Sequence, residues 1–167
     1  MTTKFRLYFK TEKLRNRFEP LLPEIPTYFE LEIFTGTPDI QILSDTDPMW
    51  IGFPYPVNSG DVYVFDDTIP AHAAGGGSEM RAAVRVMDHD PDDVILLRLW
   101  HELLHAVGQP ADDMSRMTPE WQTGLDKIIW WIWTRLGCSV DYPFWQRKFY
   151  RYLTARAAAS EVQGGDT

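Results

Sequence analysis

The chain has a single cysteine, Cys138, in 167 residues, so no disulfide can close within it and stability has to come from a packed core. Long apolar runs are missing. The stretch IIWWIW at residues 128–133 is far shorter than the roughly 20 residues a helix needs to cross a bilayer. It points to packing within the protein and excludes stable membrane insertion. An apolar leader is missing as well: the opening MTTKFRLYFKTEKLRNRF is charged where a secretory signal carries its hydrophobic stretch, which predicts a cytoplasmic protein. Basic residues are absent from positions 18–80, which hold eleven Asp and Glu, whereas positions 1–17 carry six Lys and Arg and one Glu. With a net charge of −8, the chain predicts no nucleic-acid partner, because a phosphate backbone rewards a basic face. The acidic stretch is expected to be a solvated surface.

The length fits one domain, predicted over residues 1–160, with a polar tail at 161–167 expected to be disordered. KFRLYF (4–9) alternates like a strand, and residues 11–22 place Leu14, Phe18, Leu21 and Leu22 at helical spacing before Pro23 and Pro26. YFELEIF, IQIL, DVYVF and MRAAVRVM are short β-prone runs separated by turn residues, among them GTPD, PYPVNSG and a flexible AAGGGS. About four or five strands are expected. From residue 90 the pattern turns helical. Asp90 suits an N-cap, Pro91 the first helical position, and Asp92 and Asp93 the first turn, where the helix dipole favours negative charge. That helix should run over 91–107, with Gly108 supplying a left-handed end and Pro110 preventing continuation. It is apolar on most sides and therefore expected between two layers. Further helices are predicted over 118–136 and 143–159. The fold class is α+β: a small mixed sheet with a strand–helix start and a buried active-site helix over 1–108, and a helical C-terminal subdomain over 109–160.

Within the buried helix stands His101-Glu102-Leu103-Leu104-His105. Histidines at i and i+4 share one helix face and can bind one metal ion, while Glu102 emerges beside them, able to act on a water. Burying two His and a Glu on an apolar helix is costly without partners, and a metal satisfies them. The spacing predicts a zinc hydrolase in which Glu102 is the general base.

The run from His101 to Met114, HELLHAVGQPADDM, resembles the metzincin zinc peptidases, whose pattern is HExxHxxGxxH followed by a methionine turn. The resemblance implies Zn²⁺ held by His101 and His105, Glu102 as general base, and Gly108 as the glycine that turns the chain back under the metal. The family's third histidine falls on Ala111. The nearest replacements are Asp112, one residue later and favoured, and Asp113; an aspartate fills this place in some relatives, and a carboxylate binds zinc well. A different scheme takes Glu120 or Asp126 from the next helix. Met114 and Met117 are the candidates for the methionine under the site, each alternatively a core residue. In this clan an edge strand beside the cleft pairs with an extended substrate; MRAAVRVM or DVYVF would be that strand here. His72 and His89 are assigned no metal role, and Tyr142 no oxyanion role. The implied function is a zinc-dependent metallopeptidase acting on a peptide or protein. The alternatives are a zinc-binding regulatory or interaction module without turnover, and a hydrolase of a non-peptide amide.

Overall fold

A computed structural model describes residues 3–22, 29–38, 58–66, 75–78, 80–87, 90–112 and 116–136. These form an α+β arrangement of five strands and three helices. The strands are β1 (Thr3–Phe9), β2 (Phe29–Thr35), β3 (Asp61–Phe65), β4 (Gly75–Ser78) and β5 (Arg81–Arg85), and the helices are α1 (Glu12–Phe18), α2 (Asp92–Ala106) and α3 (Pro119–Leu136). One sheet runs in the order β2-β1-β3-β5-β4. Its first four strands are parallel neighbours, and β4 pairs antiparallel with β5. The IQIL segment, the predicted helix over 143–159 and the tail lie outside the described residues.

Alternation positions the sheet. Phe5, Leu7 and Phe9 of β1 are buried on one face, and the helices pack there. Phe18 of α1 stacks on Phe9 with ring centroids 6.4 Å apart. β3 is buried along its whole length, as befits a central parallel strand with an apolar run. Phe29 joins three elements: its ring lies 5.8 Å from Phe5, 5.0 Å from Trp100 of α2 and 5.5 Å from Trp121 of α3. Ile128, Ile129 and Ile132 of α3 are core residues, with Trp131 partly buried against them. Among the described residues no helix is long and apolar enough to cross a membrane.

Three local expectations are corrected. The first helix closes earlier than residue 22: after Phe18 the chain tightens into a single 3₁₀ turn over Glu19–Leu21, because Pro20 has no amide to continue an α-helical ladder and its ring crowds the preceding turn. Thr11 caps this helix by accepting the Leu14 amide at 3.2 Å. The segment AAGGGS, expected to be a flexible loop, contributes β4. Asp90 does not cap α2; the N-cap is Pro91, without a side-chain bond. The Asp90 carboxylate instead accepts from Arg98 Nη1 at 2.9 Å and from the Met87 amide at 3.1 Å. Arg98 Nη1 also donates to the Arg85 carbonyl at 2.9 Å, so a buried ion pair ties the start of α2 to the end of β5.

Candidate metal centre

From Asp93 to Leu104 every residue of α2 is buried, which fixes the helix between the sheet and α3 and leaves its last turns to present polar groups. His101 and Glu102 are both buried, and His105, one turn on, is part-exposed. The helical rise brings the two imidazoles together edge-on, with ring centroids 4.7 Å apart and planes at 84°, and their Nε2 atoms 3.2 Å apart.

The third group arrives because of how α2 ends. Gly108 adopts φ 81°, its amide donates to the His105 carbonyl at 3.0 Å, and the Gln109 amide donates to the Leu104 carbonyl at 2.9 Å. These two bonds define a Schellman end, which satisfies otherwise unpaired carbonyls and reverses the chain. Four residues past the glycine, Asp112 returns to the histidines. Its Oδ1 lies 3.3 Å from His101 Nε2 and its Oδ2 3.3 Å from His105 Nε2. Ala111, at the position where a metzincin carries histidine, is buried.

His101, His105 and Asp112 are the one group among the described residues whose ligand atoms come together as a metal would require, all within 4.8 Å of one another. The two Nε2 atoms lie 3.2 Å apart and each faces a different oxygen of the same carboxylate at 3.3 Å, so Asp112 spans the pair of histidines. Two imidazole nitrogens and a carboxylate brought this close could hold a metal ion. The site is open on one side: the Asp112 side chain is 72% exposed, against 10% for His101 and 27% for His105.

The other sequence candidates are placed as follows. Glu120 is exposed in the first turn of α3 and is not part of the cluster. Asp113 and Met114 lie outside the described residues, as do the side chain of Asp126 and the whole of His72, His89 and Tyr142. Met117 is buried in the core. Neither strand expected to border the cleft is an edge strand: DVYVF is β3, flanked by β1 and β5, and RAAVR is β5, flanked by β3 and β4. The edge on the side of α2 is β4, which sequence reasoning missed. Its signal was the triple glycine itself, since glycine within a strand marks a close backbone approach. At Gly77 a Cβ would stand 2.8 Å from the Glu102 carbonyl carbon and 3.1 Å from its Cα, and would overlap the carbonyl oxygen.

Comparison with known protein families, with curated protein sequences and with solved structures finds no match.

Proposed function

We propose that this chain is a zinc-dependent metallopeptidase of metzincin type, with His101, His105 and Asp112 as zinc ligands and Glu102 as general base. The observation that carries the reading is the convergence of two imidazole nitrogens and a carboxylate at 3.2–3.3 Å, one helical step from a buried glutamate. A zinc ion held there supplies Lewis acidity toward a water and a scissile carbonyl. Glu102 follows His101 directly on α2, its carboxylate takes a proton from the attacking water, and the same group then returns it to the leaving amine. Burial of Glu102 among apolar residues of α2 strengthens its interaction with charge developing beside it. A site that serves only structure needs no such base. Asp112 adds negative charge that a third histidine would not, which makes the centre a milder Lewis acid. The outer edge of β4 has no strand partner among the described residues and offers main-chain groups to an extended peptide.

The test uses zinc-loaded wild type and Glu102→Gln on a diverse quenched-fluorescent peptide library. Wild type is expected to cleave, and the variant to keep its zinc while losing about 100- to 10,000-fold in rate. Equal cleavage by both proteins contradicts the role of Glu102. A zinc-loaded wild type that cleaves no peptide leaves the zinc-binding module as the reading, or a non-peptide amide as the substrate.

A further inference from the structure

The β4–β5 hairpin touches the reactive turn of α2 at two main-chain points. At its tip Met80, a non-glycine residue at φ 65°, donates its amide to the Ala106 carbonyl at 2.8 Å, while its own carbonyl accepts the Gly60 amide at 2.6 Å. Three residues earlier, Gly77 lies against the backbone of Glu102 so closely that no side chain fits between them. The contacts at Glu102 and Ala106 bracket the helical turn that carries Glu102 and His105. In the sheet, Gly77 is paired with Ala82, so β5 holds it from the other side. The backbone of β4 is thereby fixed between a strand and the helix that presents the glutamate.

Building on the peptidase reading above, we propose that Gly77 is a positioning residue for Glu102: its bare backbone sets the separation between β4 and the general base, so that main chain paired on the outer edge of β4 meets Glu102 in reacting alignment. An alanine at this position meets backbone atoms of Glu102, which cannot rotate away as a side-chain tip would. Strand and helix must part by about 1 Å or more to restore ordinary non-bonded contact. The metal ligands do not share this dependence. His101, His105 and Asp112 belong to α2 and the turn that follows it, and keep their mutual spacing when β4 moves. The proposal therefore separates alignment from metal binding.

The experiment compares wild type and Gly77→Ala as full chains loaded with zinc. Three readouts are taken: zinc per chain, amide exchange at Met80 relative to Leu96 in the same sample, and steady-state constants on a peptide that wild type cleaves. The variant is expected to hold the same zinc, to exchange the Met80 amide about 100-fold faster because the hairpin undocks, and to lose about 100-fold in kcat with KM within about threefold, the cost of a misplacement near 1 Å. A residue with a merely structural role lowers the folded fraction and leaves kcat per zinc-loaded chain unchanged. Unchanged Met80 exchange, unchanged kcat, or zinc lost in parallel with activity each overturns the proposal. Trimethylamine oxide, which favours the compact state, and a Met80→Gly background, which removes the left-handed strain while keeping the amide donor, support folding of the variant. A Gly77→Ala chain still unfolded under both conditions makes the contact a folding requirement, and overturns the proposal too. A zinc-loaded wild type that cleaves nothing overturns the peptidase reading and this inference with it, whereas an active wild type beside a Gly77→Ala protein of equal kcat overturns this inference alone.

Discussion

The amide of Gln109 donates to the carbonyl of Leu104 across 2.9 Å, and that bond governs the candidate metal centre as much as the histidines do. It closes the end of α2 around Gly108, so the chain doubles back and Asp112 returns to a helix it has just left. Gly108 stands at φ 81°, and among the described residues no atom beyond its chain neighbours lies within 4 Å of where a Cβ would be. The strain of a substitution there is therefore purely conformational.

Gly108→Ala is expected to lower stability by about 1–2 kcal/mol, the cost of a left-handed alanine, with the fold retained because the space is free. Urea unfolding of the metal-free protein measures it without the contribution of bound zinc. Gly108→Val, with a stiffer branched side chain, should cost more. A Gly108→Ala protein as stable as wild type would show that the helix end does not require the left-handed residue.

The region around this turn was legible in the sequence for identifiable physical reasons. Apolar residues on most sides of α2 announced its burial, His at i and i+4 announced a shared face, and Gly108 followed by Pro110 announced the reversal. That Asp112 meets the histidines depends on the turn's actual geometry, which the spacing of residues along the chain does not give. β4 was hidden because glycine carries no strand preference; Gly75, Gly76 and Gly77 are strand only through their ladder to β5 and their approach to α2, both of which are tertiary. The role of Asp90 was hidden for a similar reason. Its capping position is local information, whereas its partner Arg98 is set by packing two turns into the helix. Pro20, inside the first predicted helix, was the available signal for the early 3₁₀ ending.

The Asp90–Arg98 pair is almost fully enclosed, with side-chain exposures of 0% and 2%. Removing one partner leaves a buried charge uncompensated, so Arg98→Met is expected to cost about 3–5 kcal/mol. In an Asp90→Asn background the same replacement should cost clearly less, because the neutral amide no longer strands a charge. A double-mutant cycle by denaturant unfolding measures the difference. A cost below about 1 kcal/mol for Arg98→Met alone would mean that the pair does not anchor α2 to β5.

A smaller effect is expected at the end of α1. The hydrogen bond from Arg15 Nε to Glu19 Oε2, 2.7 Å long, holds the Glu19 carboxyl below its ordinary range, with the opposite charge of Arg15 adding to it and partial desolvation opposing it. A lowered carboxyl pKa contributes stability that is present above the unfolded-state value and disappears as the pH falls through the folded-state value. Glu19→Gln should therefore lower the melting temperature slightly at pH 7, and the gap from wild type should close once acid has protonated the carboxyl. A gap that persists unchanged into acid would assign the loss to packing instead.

The central claim is that His101, His105 and Asp112 form one metal centre. Elemental analysis after mild dialysis, on wild type and Asp112→Ala in parallel, tests it most directly. The expected result is one zinc per wild-type chain, with affinity in the variant reduced by more than the roughly 10- to 100-fold that loss of an outer-shell partner causes. A folded wild type that holds no metal after exposure to zinc, or a variant that binds zinc as tightly as wild type, would contradict the account.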